Sequence, residues 1–227
     1  TQDYVEDRKV AGKTNVVARG KMKQRNALLL SALSLVASIA IVAWIKSSLL
    51  LLYVPAVVLS FLYSWRRVRL KTKPVVDVII HGFAAGGVLA LSGYMLSKPP
   101  DVTAFYMFSA VFFVSAAVEM INEMRDLDVD RKHNFMTTAI AAGGDARNVF
   151  FAFIYLSMLF TIATFFYVLS AANFIAWLVL SLPIMAYVIL DVRKKNIGKD
   201  YVYVFGRLKI ASVSMILGIA VYLAQSG

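Results

Sequence analysis

The chain has 227 residues, 60% of them hydrophobic, a mean hydropathy of +0.71 and a formal net charge of +11. That is too apolar for an ordinary soluble domain, and with no cysteine it can form neither disulfides nor thiolate metal sites. The two histidines, His81 and His133, are far apart in the chain, so a histidine-built zinc site is not expected.

Taken in chain order, uncharged apolar runs set the class. Residues 27–45 and 47–65 carry no charge, and residues 74–96 hold only Asp77 and His81. Residues 102–118 form the next run, and residues 148–190 stay uncharged long enough for two spans hinged near "LSAAN". Residues 210–227 are the last. Each run, or each half of the long one, approaches the roughly 20 residues that cross a bilayer. The expected fold class is an all-α membrane protein with seven transmembrane helices in this chain.

The loops between these runs alternate in charge. Lysine and arginine crowd residues 1–26, the stretch "RRVRLKTK", residues 125–147 and residues 191–209. The intervening loops hold only Lys46, only Lys98, and none at "SAA". The positive-inside rule places the rich loops in the cytoplasm and the C-terminus outside. Topology alone can account for the positive net charge, and no nucleic-acid partner is expected. Topology does not explain why every cluster of carboxylates shares that basic face.

The stretch "INEMRDLDVDRK" poses that question most sharply. Of thirteen carboxylates in the chain, five (Glu119, Glu123, Asp126, Asp128 and Asp130) stand at the end of one apolar run. At about 100° per residue, Glu119, Glu123, Asp126 and Asp130 share one helical stripe roughly 60° wide, with Asn122 at its edge. Asp128 points the opposite way. Like charges so spaced repel, so basic side chains, a cation or both must sit on the stripe.

The N-terminus echoes this motif. "QDYVEDRKV" and "NEMRDLDVD" both read amide, acid, two residues, acid: Gln2, Asp3 and Glu6 against Asn122, Glu123 and Asp126. Asp7 is an alternative partner for Asp3, and basic residues follow each time: Arg8 and Lys9, then Arg131 and Lys132. Two acidic motifs on one membrane face suggest two halves of one site. Hard divalent cations such as Mg²⁺ bind through one or two carboxylates plus substrate phosphates. The metal would reverse the local sign and let an acidic surface hold a diphosphate.

With these motifs the sequence resembles the UbiA superfamily of intramembrane prenyltransferases. "QDYVEDRKV" stands where the family carries its first Asp-rich motif, and "NEMRDLDVD" matches the second, with Glu123 in place of an Asp. "YSWRR" supplies Tyr63 and Arg67, with Lys71 shortly after, near the family's Tyr-x-x-x-Lys motif. "TTAIAAGG" resembles the small-residue stretch that follows the second motif. The departures are Gln2, Glu6 and Val10 in the first motif, the last of which offers no ligand, and "GKTNVVARGKM" where an Asn-Arg-Pro segment is usual.

The resemblance implies one UbiA-like transmembrane domain over residues 1–227, a helical bundle around a central cavity. The family has nine helices, so two more are expected upstream of Thr1. It further implies a multi-pass membrane enzyme with its site on the cytoplasmic side. That enzyme moves an isoprenyl chain from its diphosphate to an aromatic, quinone-precursor type of acceptor. A glycerol-ether lipid acceptor is the main rival.

The implied metal ligands for Mg²⁺ are Asp3, Glu6, Asp7, Glu123, Asp126 and Asp130, with Asp3, Asp126 and Asp130 central to catalysis. The implied diphosphate contacts are Gln2, Tyr63, Arg67, Lys71, Asn122, Arg131 and Lys132. Phe151, Phe153, Tyr155 and Tyr187 are candidates for stabilising an allylic cation.

Plainer readings stand beside these. Asp126 and Asp130 can pair with Arg125, Arg131 and Lys132 as a solvated helix end, and Asp3, Glu6 and Asp7 can be a tail. Tyr63 can be an interfacial anchor, and Arg67 and Lys71 topology signals. Glu119 can satisfy a helix–helix hydrogen bond. Asp77 and His81, four residues apart, are expected to bond each other, and "GFAAGG" to permit close helix packing. A cation transporter is the alternative of another class, and it would need carboxylates at mid-bilayer, where only Asp77 lies well inside an apolar run.

Overall fold

The computed structural model describes residues 16–65 and 67–226 and, among them, contains helices and turns but no strand. The chain divides into two compact units, residues 1–70 and residues 71–227.

The first unit is a helical hairpin. Helix α1 (Gln24–Lys46) is apolar almost throughout and ends where Lys46 becomes extended, φ −163° and ψ 104°. A 3₁₀ turn, Ser47–Leu49, leads into α2 (Leu50–Ser64). The Tyr53 hydroxyl donates to Ser38 Oγ at 2.7 Å. Fifteen residues along one straight helix would be about 22 Å apart, so the chain must reverse between them. Six continuous helical stretches are long and apolar enough to cross a membrane, and the first of these, Gln24–Ser64, contains this reversal. The seven expected spans and the six stretches therefore differ only in how this pair is divided.

In the second unit α3 (Val76–His81) runs through a π-helical segment, Gly82–Gly87, into α4 (Val88–Ser97). The glycines let this segment lie against α5 (Val102–Lys132). A Cβ on Gly86 would sit 2.6 Å from Ser115 Cβ and 2.7 Å from the Val111 carbonyl oxygen. Close packing through "GFAAGG" is thus what the structure shows.

Asp101 starts α5: its side chain accepts from Ala104 N at 3.0 Å and from the Tyr94 hydroxyl at 2.6 Å, and Lys98 Nζ lies 3.2 Å away. The rest of the bundle is α6 (Thr138–Ala142), α7 (Ala146–Val168), α8 (Ala171–Val192) and α9 (Tyr201–Ser226). The hinge expected near "LSAAN" falls at Leu169 and Ser170, and Ser170 caps α8 by accepting from Asn173 N. Met120, Ile121, Phe150, Ile154, Val188 and Val204 fill the core between these helices.

The length of α5 positions the acidic motif. Its 31 residues span about 46 Å, against about 30 Å of hydrocarbon. The excess carries the last turns, from about Glu119 onward, toward the headgroups and water.

Candidate active site

Along the stripe on α5, Glu123 is buried, and Glu119, Asp126 and Asp130 are half-buried. Glu119 lies deepest along the helix and is 12% exposed in its side chain, with His81 Nε2 3.6 Å away. Asn122 Nδ2 donates to Glu119 Oε2 at 3.1 Å. Asp126 and Asp130 are half-buried, and Asp128 is exposed on the opposite side, as the helical spacing requires.

Arg125 ties the stripe together. Its Nε and Nη2 donate to the two oxygens of Asp126 at 2.9 and 2.8 Å, a two-point grip that fits a planar guanidinium. Its Nη1 donates to Asn122 Oδ1 at 3.3 Å, and its guanidinium lies 5.3 Å from the centre of the Tyr201 ring. The pairing of Asp126 with Arg125, one of the plainer readings, is therefore present. It does not exclude a metal, because Arg125 is exposed and can release the carboxylate to a stronger cation. Arg131 and Lys132 are also exposed at the end of α5.

Glu123 is placed differently. It is 5% exposed and its Oε2 accepts from Ala139 N at 2.7 Å, at the first turn of α6. Its Oε1 is buried without a hydrogen-bond partner. Asp77, fully buried, accepts from Thr138 N at 2.8 Å and from the Thr138 hydroxyl in a very short bond. Two carboxyls from two helices thus cap successive N–H groups of α6, which would otherwise be orphaned.

Val75 closes the clasp by donating to Thr138 Oγ1 at 2.7 Å. It does so with φ of +70°, a left-handed conformation that costs a β-branched residue energy. The expected Asp77–His81 bond is not made: Asp77 turns to α6, and His81 Nδ1 contacts the Ser115 carbonyl at 3.1 Å. The spacing of four put the two side chains on one face but could not show that α6 lies across from Asp77.

The loop before α9 packs directly on the motif. A Cβ on Gly198 would lie 2.3 Å from the Met124 carbonyl oxygen and 2.8 Å from its carbon. Only glycine allows that approach, which brings the basic stretch 193–199 beside the acidic end of α5. Nothing in the sequence pattern pointed to Gly198.

Gln2, Asp3, Glu6 and Asp7 lie outside the described residues. Tyr63 ends α2 in the first unit with exposed Arg67 just beyond, and partly buried Lys71 opens the second unit. Among the described residues, no group of three or more His, Cys, Asp or Glu is placed to hold a metal ion. Mg²⁺ on a diphosphate needs only one or two carboxylates. Asp126 and Asp130, one turn apart on one stripe, offer two carboxylates.

Deeper in the bundle, α5, α7, α8 and α9 enclose an apolar cavity of about 140 Å³ reaching from Phe150 and Val192 to Thr161 and Met215. A second, of about 250 Å³, continues from Thr161 and Met215 toward Tyr94 and Lys98.

The fold and site define a multi-pass, all-helical integral membrane protein with an acidic, arginine-braced site at the end of its longest helix. The sequence matches the UbiA prenyltransferase family over residues 1–213, and the chain belongs to that family; it is a prenyltransferase. No curated protein matches the sequence.

Among solved structures, the chain is similar to a UbiA homolog from Archaeoglobus fulgidus bound to GPP and Mg²⁺. The TM-score is 0.73 at 19% identity, covering 97% of this chain and 80% of that one. The same homolog bound to DMAPP and Mg²⁺ gives a TM-score of 0.71 at 20% identity, with the same coverage. At this identity the likeness is one of fold.

Proposed function

We propose that the protein transfers an isoprenyl chain from its diphosphate to an aromatic acceptor of the quinone-precursor type, using Mg²⁺ on the cytoplasmic side of the membrane. The observation that carries this is the α5 stripe. Asp126 and Asp130 share one face of the last turns of α5, among Arg125, Arg131 and Lys132. A surface with both signs so close is suited to a polyanion that arrives with its own cation. The archaeal homolog of the same fold binds GPP and DMAPP with Mg²⁺.

Asp126, Asp130 and Glu123, with Asp3, Glu6 and Asp7, would hold the Mg²⁺. When bound, the ion neutralises charge on the departing diphosphate. Asn122, Arg131 and Lys132, with Gln2, Tyr63, Arg67 and Lys71, would take phosphate oxygens. As the carbon–oxygen bond breaks, diphosphate leaves with the electron pair and an allylic cation remains. The acceptor then supplies electrons for the new carbon bond and loses a proton.

The cation must be kept from water, and the two apolar cavities, one between α5, α7, α8 and α9 and one between α4, α5, α7 and α9, offer dry volume for the prenyl tail. The transport reading needed Asp77 at mid-bilayer, but Asp77 is fully engaged in capping α6.

The test is binding of a labelled isoprenyl diphosphate with Mg²⁺ and with EDTA, followed by an acceptor screen. Asp126→Asn should lower Mg²⁺-dependent binding at least ~10-fold, and Asp128→Asn should leave it unchanged. Binding indifferent to both metal and Asp126 would refute the site. Turnover with a glycerol-ether lipid but not with aromatic acceptors would overturn the acceptor assignment.

A further inference from the structure

On the same membrane face as the acidic stripe, where α7 begins and α8 ends, lies a second charged concavity. It has a volume of about 530 Å³ and is lined by Arg147, Asn148, Phe151, Ala152, Tyr155 and Arg193. The two arginines come from different helices and converge on one ring. The guanidiniums of Arg147 and Arg193 lie 5.8 and 5.4 Å from the centre of Phe151, and that of Arg193 lies 5.8 Å from Tyr155.

Among the described residues neither arginine has a carboxylate partner. Asp145, just before α7, is exposed and accepts from Asn148 Nδ2 at 3.1 Å, and Asp191, two residues before Arg193, is paired with Arg207 at 2.7 Å. Lys194 and Lys195 follow Arg193. The concavity is therefore positive, with two guanidiniums held over aromatic faces and no hydrogen bond from either to another described residue.

What lies along the helices below the arginines identifies the occupant. At about 100° per residue, Asn148, Ala152, Tyr155, Leu159 and Phe166 fall within one face of α7 roughly 60° wide. All five are exposed, and the opposite face, with Phe150, Ile154, Thr161 and Phe165, is buried. On α8 the row from Arg193 continues through Ile189 and Ala186 to exposed Leu182. In a membrane-spanning bundle, an exposed apolar strip faces acyl chains. The arginines stand at its end, where phosphates of the headgroups lie, and Tyr155 sits between with its amphipathic ring. Anionic head above and apolar tails below is the outline of a phospholipid.

We propose that Arg147 and Arg193 form a binding site for the phosphate of an anionic phospholipid, whose acyl chains run down the exposed faces of α7 and α8. The site stands apart from the α5 stripe, and its argument does not depend on the acceptor. Two basic side chains at a headgroup predict a preference for anionic lipid of about 30-fold.

Native mass spectrometry of the purified protein, offered equal phosphatidylglycerol and phosphatidylcholine, tests it. Wild type should retain phosphatidylglycerol selectively, and R147Q/R193Q should lose most of that selectivity. K194Q/K195Q, which removes the same charge from outside the lining of the concavity, should lose clearly less selectivity than R147Q/R193Q. Both arginines are exposed, so the double variant should fold, and its melting temperature checks this.

Equal retention of the two lipids by wild type overturns the proposal. So does unchanged selectivity in R147Q/R193Q, or an equal loss in K194Q/K195Q. In a second arm inorganic pyrophosphate replaces the lipids. Pyrophosphate binding lost in R147Q/R193Q, with no phosphatidylglycerol retained by wild type, would reassign the site to a free phosphate anion and overturn the lipid assignment.

Discussion

Replacing Asp77 with alanine should loosen the second unit where α3 meets α6. The side chain accepts from Thr138 N and from the Thr138 hydroxyl, across 61 residues of sequence, in a fully buried position. Without it both donors are left in a dry interior, at about 1–3 kcal/mol each, or about 4 kcal/mol together. A domain of this size loses about 2–4 °C of melting temperature per kcal/mol, so the midpoint should fall by about 8–16 °C.

Asp77→Asn keeps one acceptor oxygen but can set an amide NH₂ against Thr138 N–H, and should fall by about half as much. Thr138→Val added to Asp77→Ala should cost less than the sum of the two, because they share the same bonds. The assay is heating in detergent with the folded fraction read by size-exclusion chromatography. If Asp77→Ala melts within about 2 °C of wild type, the clasp does not hold α6 and the reasoning fails.

Gly198→Ala should act on catalysis more than on folding. Its Cβ would meet Met124 backbone at 2.3 Å, and backbone cannot swing aside. The loop must retreat from α5 by about 1 Å, enough to lower turnover at least ~10-fold; unchanged steady-state turnover would refute a positioning role. At the other end of the bundle, the Asp101 carboxyl is held down to about 2 by the Tyr94 hydroxyl first, then by Ala104 N–H and Lys98. Because this folded value lies below the unfolded one, its contribution to stability is complete above the ordinary carboxylate range. It is lost as pH falls through about 2. In Tyr94→Phe, a carbon-13 NMR titration should find Asp101 shifted upward, and an unmoved midpoint would refute the assignment.

Much of this protein is determined by its sequence alone. Apolar runs set the membrane class and the order of the spanning helices, though not the end of α5 or the start of α9, because a bilayer demands a continuous length of hydrocarbon-compatible side chains. The 3.6-residue period put Asp126 and Asp130 on one stripe and turned Asp128 to solvent. The glycines of "GFAAGG" announced a close approach that the structure makes at Gly86.

Only the tertiary structure decided what lies across from each face. Helical spacing gives a side chain its direction and says nothing of the neighbour it meets. So Asp77, one turn from His81, instead caps a helix 61 residues on, and Glu123, on the acidic stripe by angle, spends one oxygen on Ala139. The bond from Val75 to Thr138 and the seat of Gly198 on Met124 are likewise contacts between distant segments. They follow from how the helices pack, which local pattern does not encode.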